Sequence, residues 1–480
     1  MADVRFDRGD EDACKGARFS TVFSFVVDAA PSFAYKGWHL ARSLVEHCGG
    51  DPSAIHVQCT PEVSERTRDL FRERGYNIHE ISRFGDGRYC NKLGQLDSLR
   101  AIEFDRVVLL DTDTIAIADI RPFLDADAVM GVMVGLARPP LETLREIAVA
   151  SGLSSLPAIC PTAIGGQDTY LANCNGGLYC VPKRYCEDLS RAWRRWALWL
   201  LDNIEPLSRI DKQNHVDQVA FWLAMQHENL PFAAAVSNVN YHTHVEGEHF
   251  YLDETRDIAL LHYHNHLDVV GMLEAPPGRG ARETAAVARA NAQIGRGFDN
   301  RVFWGMRYGH FPQRGSGLGS RGDNLLFKRA LLKEHGIEEA SSVLDFGCGD
   351  LEVVKALQVK RYLGVDQSPE SLAIARRARP DWEFRLAPAD VPAAEMVLCL
   401  EVLIHQETEA AYRALIAVLA QKTLGTLLVS GFRAASEGAS NNPILFYYEP
   451  LEESLHGTGR FRAIREIGNH SGVVVYRCDV

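Results

Sequence analysis

Two short apolar runs, far apart in the chain, each end directly in a polar motif, and this pairing constrains the fold more than any other feature. Residues 106–110 lead into Asp111-Thr112-Asp113, and residues 342–344 lead into Asp345-Phe346-Gly347-Cys348-Gly349. Two carboxylates one residue apart at a strand exit can hold a divalent cation against a diphosphate. A glycine-rich turn lets a backbone approach a nucleoside closely. The sequence therefore predicts two ligand sites in one chain.

The length and the pattern of the chain predict more than one domain. At roughly 150 residues per domain, 480 residues allow two or three. Apolar strands alternate with helices from about residue 20, stop at 274–297, where Pro, Gly, Arg and Ala dominate, and then restart. Such alternation is typical of an α/β fold with a mostly parallel sheet, whose ligands bind at the carboxyl ends of the strands. We predict domains at 1–273 and 298–480, joined by a partly helical linker at 274–297.

The periodicity also predicts individual elements. The first domain has predicted strands at 21–27 and 54–58 and predicted helices at 34–47, 61–75, 193–201 and 211–225; the second has predicted strands at 343, 362–365, 396–400 and 426–430 and a closing pair within 461–480. Trp193, Trp196 and Trp199 lie three residues apart on one helix. They either pack in the core or form a docking surface for a lipid-linked or aromatic acceptor.

Composition excludes several classes of protein. A formal net charge of −12 argues against nucleic-acid binding, which needs a basic face. The acidic N-terminus lacks the apolar core of a signal peptide, and no run of about 18 apolar residues follows, so we expect a cytoplasmic protein without a transmembrane segment. The eleven cysteines are irregularly spaced without a CxxC pair, which indicates reduced thiols.

The first site resembles that of a known enzyme class. The motifs are, in order, Asn91-Lys92-Leu93, the Asp111-Thr112-Asp113 segment, Asn175-Gly176-Gly177, Asp217-Gln218 and Leu260-Leu261-His262-Tyr263. Over about residues 20 to 270 this order resembles the glycosyltransferases of the GT-A fold, especially the glycogenin-like group. The resemblance implies that Asp111, Asp113 and His262 bind Mn²⁺ or Mg²⁺, which bridges the diphosphate of a nucleotide sugar. Such a metal neutralises charge that grows on the leaving diphosphate.

The other residues of these motifs have a plain structural alternative beside the functional one. Lys92 either contacts phosphate or is solvated, and Asn175-Gly176-Gly177 either admits a sugar to the backbone or forms an ordinary turn. Asp217 orients an acceptor hydroxyl, acts as a general base, or favours the first turn of a helix. Gln218 belongs to the same substrate-binding motif.

Six histidines lie between His242 and His266, which raises the question of a zinc cluster. We expect most of them to be surface or hydrogen-bonded side chains. His262 follows an apolar run and matches the family position. His264, two residues on, would share its strand face and is the substitute ligand.

The second site resembles the class I S-adenosylmethionine-dependent methyltransferases. Residues 343–350 contain the glycine turn of Asp345, Gly347 and Gly349, and Tyr362-Leu363-Gly364-Val365-Asp366-Gln367-Ser368 follows. Glycine removes the side chain where the cofactor lies against the backbone, and Asp366, followed by Gln367, can accept both ribose hydroxyls. A nicotinamide-binding fold is the competing interpretation, but its third glycine is missing. By analogy, Asp390 at the end of the next strand contacts adenine.

Residues flanking the second motif complete the predicted site. Segments 303–308 and 315–320 look like the lead-in of a small methyltransferase group found with bacterial polysaccharide genes; Arg307 would meet the cofactor carboxylate, and Gly317 would lie near the cofactor. The alternative is a flexible linker. Methyl transfer to a sugar hydroxyl needs a base, and Glu401 and His405, just after the fourth strand, supply the candidate catalytic groups. His405 either deprotonates the hydroxyl or caps a helix. No Asn-Pro-Pro-Tyr motif follows, which disfavours amino methylation of DNA bases.

Together these patterns predict a bifunctional transferase. A glycosyltransferase domain adds a sugar from a nucleotide-sugar donor, and a methyltransferase domain methylates a hydroxyl of a bacterial glycan or glycosylated small molecule. Two rivals stay open: a methyltransferase with a degenerate sugar-binding domain, and a glycan-binding scaffold without catalysis.

Overall fold

The computed structural model describes residues 19–274, 280–435 and 442–480. The chain divides into two compact units. The first comprises Met1–Ala29, Leu40–Asn265 and Ala275–Val287, and the second comprises Ala30–His39, His266–Glu274 and Ala288–Val480. Each is a mixed α/β unit built around its own seven-stranded sheet.

The strands number nineteen in the described residues. They are β1 (Thr21–Val27), β2 (Ile55–Cys59), β3 (Asn77–Glu80), β4 (Arg106–Leu110), β5 (Thr114–Ala116), β6 (Val129–Met133), β7 (Ile159–Pro161), β8 (Asp168–Tyr170), β9 (Cys174–Pro182), β10 (Phe232–Ala234), β11 (Tyr241–His242), β12 (Leu260–His262), β13 (Val343–Phe346), β14 (Tyr362–Asp366), β15 (Glu383–Leu386), β16 (Ala394–Cys399), β17 (Thr423–Gly431), β18 (Ala463–His470) and β19 (Val473–Asp479).

The α-helices of the described residues connect these strands. They are α1 (Pro31–His47), α2 (Glu65–Arg72), α3 (Gln95–Ser98), α4 (Leu141–Ala150), α5 (Lys183–Asp202), α6 (Glu205–Ser208), α7 (Val216–His227), α8 (Ala281–Arg296), α9 (Asn300–His310), α10 (Gly322–Glu334), α11 (Pro369–Ala378), α12 (Glu409–Lys422) and α13 (Leu451–Gly457).

The main sheet of the first unit has the order β10-β6-β9-β4-β1-β2-β3, and β9 runs antiparallel to both of its neighbours. A smaller sheet, β11-β12-β5, adjoins the segment that follows β4. Every residue of β4 is buried, as expected for a strand in the interior of a sheet. The polar motif after β4 therefore begins where the buried strand ends.

Helices α5 and α7 of the first unit pack beside this sheet, and the three tryptophans lie on α5. Trp193 and Trp196 on α5 are buried, and Trp199 is half-buried. The Trp193 Nε1–H donates to the carbonyl of Asp217, over 2.7 Å, at the start of α7. The triplet thus contributes to core packing, and Trp193 fixes the helix turn that bears Asp217.

The sheet of the second unit has the order β15-β14-β13-β16-β17-β19-β18. Its first five strands in this order are parallel, and β19 pairs antiparallel with both β17 and β18. The expected closing pair at the C-terminus is the β18–β19 hairpin. Because the chain winds outward in both directions from β13 and β16, the topological switch point lies between these two strands.

Some helices start elsewhere than the periodicity predicts. Helix α2 starts at Glu65 rather than 61, since Ser64 Oγ accepts from the Thr67 N–H and caps it. Helix α7 starts at Val216 rather than 211, because Asp211 has a φ of 55°, a left-handed conformation that no α-helix contains. Within the segment expected to be a partly helical linker, α8 occupies Ala281–Arg296.

Two further features bear on the expectations from composition. In the part of the chain that the structure describes, no helix has both the length and the apolar character needed to cross a membrane. The described cysteines are free thiols, and all but Cys160 are buried.

Candidate active sites

In the first unit, the turn after β4 meets a partly buried lysine. Lys92 Nζ lies 2.8 Å from Asp111 Oδ1 and 3.0 Å from Asp217 Oδ2, and it donates to the Gly176 carbonyl over 3.3 Å. Burial alone would lower the pKa of Lys92, but the two carboxylates raise it above its usual value. Lys92 therefore stays charged and bridges Asp111 and Asp217, rather than pointing into solvent.

The glycines of β9 leave room for these side chains. A Cβ on Gly176 would lie 2.8 Å from Lys92 Nζ, and one on Gly177 would lie 2.5 Å from His262 Nδ1. The Gly176 N–H donates to Gln218 Oε1 over 3.1 Å, and the Gly177 N–H donates to Asn175 Oδ1 over 2.9 Å. Asn175-Gly176-Gly177 is thus part of a strand, not an ordinary turn, and it contacts the lysine and the histidine directly.

Three side chains of types that can ligate a metal converge next to this network. Ligand atoms of Asp113, His262 and His264 all lie within 4.8 Å of one another. His262 Nδ1 donates to Asn240 Oδ1 over 2.9 Å, which leaves its buried Nε2 facing Asp113 Oδ1 at 3.5 Å. A carboxylate with two imidazoles suits Mn²⁺ better than Mg²⁺, which prefers oxygen ligands. These residues fit a divalent metal.

The side chains that converge here differ in one respect from the expected metal ligands Asp111, Asp113 and His262. Asp111 Oδ1 is engaged by Lys92, whereas His264 joins Asp113 and His262. His264 does not share the face of β12 through strand geometry, because the strand ends at His262 and His264 has a φ of 51°. This left-handed residue instead turns its ring parallel to that of His262, with centroids 4.2 Å apart.

In the second unit, a cavity of about 240 Å³ lies at the switch point between β13 and β16. Among the sequence-predicted residues it is lined by Asp345, Gly347, Asp366, Gln367, Glu401 and His405. Residues from α9, from the rest of the lead-in and from α10 also line it, including Asn300, Trp304, Tyr308, Ser316, Ser320 and Lys328. Doubly wound sheets bind ligands in this crevice.

The glycine turn after β13 needs glycine at both positions. Gly347 has a φ of 73° and Gly349 a φ of 54°, in the left-handed region. A Cβ on Gly347 would collide with Val402, and one on Gly349 would lie 2.5 Å from Tyr308 Oη. The turn is therefore packed against the lead-in helix α9 and the loop after β16.

Two buried carboxylates flank the turn. Asp366 Oδ2 accepts from the Gly349 N–H over 2.9 Å, and Oδ1 accepts from the Ser368 N–H over 2.8 Å. Burial raises the pKa of Asp366, and these backbone donors oppose the rise. Burial also raises the pKa of Asp345 to about 7, although the Tyr362 hydroxyl donates to its Oδ2 over 2.6 Å. Asp366 is thus oriented toward the cavity by the same turn that would hold a ligand.

The residues after β16 form the opposite wall. Glu401 has a φ of 59°, and its N–H donates to Ser430 Oγ over 2.7 Å. His405 Nδ1 donates to the Ile444 carbonyl over 2.7 Å, so Nε2 is the accepting nitrogen of the neutral ring. Burial lowers the pKa of His405 to about 4. The imidazole is therefore neutral near pH 7 and can accept a proton.

Lys328 on α10 is a cavity residue that the sequence analysis missed. It is the only lysine or arginine among the described residues that line the cavity, and its side chain is 2% exposed. Its Nζ lies 2.7 Å from Glu401 Oε2, and His470 Nε2 lies 3.3 Å from Glu401 Oε1. Burial lowers the pKa of Lys328, and Glu401 opposes this. The sequence contains one indication of this position: Lys328 lies three and four residues before Leu331 and Leu332, so it shares a helix face with these apolar side chains.

Three predicted cofactor residues are not brought to the cavity. Arg307 Nε donates to the Gly315 carbonyl over 2.9 Å, and Nη1 donates to that of Val269 over 3.0 Å, so its guanidinium holds the lead-in backbone. Gly317 packs against Arg307 instead of lining the cavity. Asp390 lies beyond the end of β15, with a fully exposed side chain 3.3 Å from Lys422 Nζ. Asp390 is therefore a surface ion-pair residue in this structure.

Comparison with known proteins bears on the second unit. Residues 344–424 match a family model described as a methyltransferase domain. Similar solved structures include magnesium protoporphyrin IX methyltransferase from Synechocystis PCC 6803 with bound SAH (20% identity, 32% of this chain and 81% of that chain, TM-score 0.28) and the N-methyltransferase NodS from Bradyrhizobium japonicum WM9 with SAH (14% identity, 38% and 98%, TM-score 0.30). At these scores the likenesses support no inference about substrate. None of the curated proteins matches the chain significantly.

The matched segment begins in β13 and ends in β17. It contains the glycine turn, Asp366, Glu401 and His405, and it therefore includes both walls of the cavity. The C-terminal region of this chain contains a methyltransferase domain with a Rossmann-like sheet.

Proposed function

We propose that the second unit is an S-adenosylmethionine-dependent O-methyltransferase that acts on a sugar hydroxyl of a glycan or glycosylated small molecule. The observation that carries this proposal is the cavity, which joins the glycine turn and Asp366 on one wall to a neutral, half-buried His405 on the other. One wall suits a nucleoside, and the other suits a hydroxyl that must lose its proton.

The roles of the residues follow from their positions. The turn of Gly347 and Gly349 admits the cofactor to the backbone, and Asp366 accepts the ribose hydroxyls. Lys328 takes the role expected of Arg307, pairing with the α-carboxylate of the methionine part. S-adenosylmethionine supplies an electrophilic methyl group on a sulfonium. With the cofactor bound, the acceptor oxygen would take this methyl group, S-adenosylhomocysteine would leave, and the acceptor proton would pass to His405 Nε2.

Transfer of labelled methyl from S-adenosylmethionine to a panel of glycans and glycosides tests this proposal. We expect label in a methyl ether of a sugar. Label only in amino groups, or in no acceptor although the cofactor binds, would contradict O-methylation. His335→Asn, at the C-terminal end of α10 outside the cavity, is the matched control for substitutions of His405.

We further propose that the first unit transfers a sugar from a nucleotide-sugar donor with the help of Mn²⁺ or Mg²⁺. The specific observation in favour is one connected network in which Lys92, Asp111 and Asp217 adjoin the Asp113–His262–His264 group through the glycines of β9. Asp113 and the histidines would hold the metal, and Lys92 would add positive charge for a diphosphate.

Asp217 is the candidate group for the acceptor. Its Oδ2 pairs with Lys92, and its buried Oδ1 has no hydrogen-bond partner among the described residues. A free carboxylate oxygen can orient an acceptor hydroxyl or take its proton. Asn175 and Gln218 hold the glycine backbone in position and support the sugar-binding surface.

Thermal shifts with a panel of nucleotide sugars and Mn²⁺ identify the donor, since a ligand at 100 times its Kd stabilises by about 2.7 kcal/mol. With that donor, Asp113→Asn should lower sugar transfer at least about a hundredfold, because the metal stabilises the leaving diphosphate. Asp188→Asn, an exposed acid on α5, is the control. Nucleotide-sugar binding without turnover would indicate a degenerate sugar-binding domain. Full sugar transfer in the presence of a chelator would refute the dependence on a metal. A chain that bound neither ligand would act as a scaffold.

A further inference from the structure

Four imidazole rings form one cluster in the first unit. The imidazole cluster consists of His242, His244, His262 and His264, and all its ring centroids lie between 3.8 and 6.3 Å from one another. The metal group with Asp113 uses only His262 and His264. Two histidines of the cluster are therefore not explained by the proposed sugar transfer.

The backbone places these rings together. Strands β11 and β12 are parallel neighbours, and their register sets His242 beside His262. Parallel neighbours about 5 Å apart direct side chains in register to the same face. A Cβ on Gly135 would lie 3.2 Å from His242 Nδ1, so the glycine leaves space for that ring.

The conformation of His264 completes the cluster. Its φ of 51° is left-handed, a conformation that is unfavourable for a residue with a side chain and is concentrated at functional sites. This conformation brings the His264 ring to within 3.8 Å of His244, centroid to centroid. His264 thus stands between the first metal group and the other two histidines.

Ligand nitrogens of His242, His244 and His264 lie within 4.8 Å of one another, with no carboxylate in the group. We propose that these three histidines form a second metal position, which takes a nitrogen-preferring transition ion such as Zn²⁺ or Co²⁺ and rejects Mg²⁺. An all-imidazole set suits Zn²⁺, Co²⁺, Ni²⁺ and Cu²⁺, whereas Mg²⁺ requires oxygen ligands in octahedral geometry. This position is distinct from the Asp113 group, although His264 belongs to both.

Titration of the full, metal-stripped chain with Co²⁺ in excess Mg²⁺ tests this position, because Co²⁺ bound to imidazoles absorbs visible light. The double variant Asp113→Asn with His262→Ala removes the first group and leaves the second intact. We expect this variant to bind one Co²⁺ per chain. If it binds none, while its circular dichroism matches that of the unaltered chain, the second position does not exist.

Adding His244→Ala to that variant removes a ligand unique to the second position. Removing a residue that only hydrogen-bonds to a metal ligand lowers metal affinity about 10- to 100-fold. Removing a ligand itself should therefore weaken Co²⁺ binding at least about a hundredfold. His249→Ala, whose ring stacks on Tyr241, is the matched control and should leave binding unchanged. His244→Gln serves where Ala unfolds the chain. Equal Co²⁺ affinity with and without His244 would overturn the proposal, whether or not sugar transfer is observed.

Discussion

At the scale of single residues, burial decides the charge of each proposed group. His405 and Lys328 line the same cavity, and burial lowers the pKa of both. Glu401 lies 2.7 Å from the lysine, which keeps the cation paired, whereas His405 donates only to a carbonyl. Lys328 can therefore bind an anion, and His405 can accept a proton.

His405→Asn should preserve the affinity for S-adenosylmethionine and lower methyl-transfer turnover by about 10² to 10⁴, the usual contribution of a general base. Because the pKa of His405 is about 4, the base form is present throughout the neutral range. The kcat/KM of the unaltered enzyme should lose no activity to His405 between pH 8 and pH 6, and should fall only as pH approaches about 4. Loss of cofactor binding in the variant would show a structural role instead.

Lys328→Met should weaken the binding of S-adenosylhomocysteine about 10- to 100-fold, as expected for a hydrogen bond between charged groups. The affinity for 5′-methylthioadenosine, which has no carboxylate, should not change. Calorimetry with both ligands checks this, and Lys333→Met on the exposed side of α10 is the control. Equal weakening of both ligands would show that Lys328 only supports the fold of the cavity.

At the scale of elements, apolar runs that end in polar motifs were predictable, and long-range contacts were not. The strand at 21–27 has the predicted bounds, and β13 and β14 end at the predicted motifs. The position of Asp390 was missed because β15 ends at Leu386. Lys328 rather than Arg307 lines the cavity, because Arg307 donates to a carbonyl distant in sequence and Lys328 pairs with a carboxylate distant in sequence. No local pattern in the sequence indicates these contacts.

Gly349→Ala tests the packing of the glycine turn against α9. Gly349 has a positive φ, and an added Cβ would lie 2.5 Å from the Tyr308 hydroxyl. The turn must therefore shift in the variant. We expect the affinity for S-adenosylhomocysteine to fall at least about tenfold, since an ångström of misplacement is enough to disturb a bound ligand. Gly457→Ala, where an added Cβ meets no atom within 4 Å, should have no effect. Unchanged affinity in Gly349→Ala would contradict close backbone contact.

At the scale of the whole chain, the second unit includes segments that precede residue 298. His266–Glu274 and Ala288–Gly297 belong to it, and within it Trp38 Nε1 donates to the Gly297 carbonyl over 3.0 Å. The Arg307 guanidinium also donates to the Val269 carbonyl. The predicted boundary at 298 would remove these contacts from the methyltransferase domain.

A chain of residues 266–480, which keeps the Arg307–Val269 hydrogen bond, should therefore unfold at a higher temperature than one of residues 298–480. Both chains lack Trp38, and both should bind S-adenosylhomocysteine, since every residue that lines the cavity lies after 298. Thermal unfolding with and without the ligand measures this. Equal melting temperatures would show that the earlier segments add no stability, and failure of both chains to bind would show that the second unit is not independent.

The most direct test of the central claim, a cofactor site that the second unit builds from its own residues, is calorimetric titration of the full chain with S-adenosylhomocysteine. We expect one site per chain in the unaltered protein, about 10- to 100-fold weaker binding in Asp366→Asn, and unchanged binding in Asp113→Asn. No binding to the unaltered chain, or equal weakening by both substitutions, would contradict the claim.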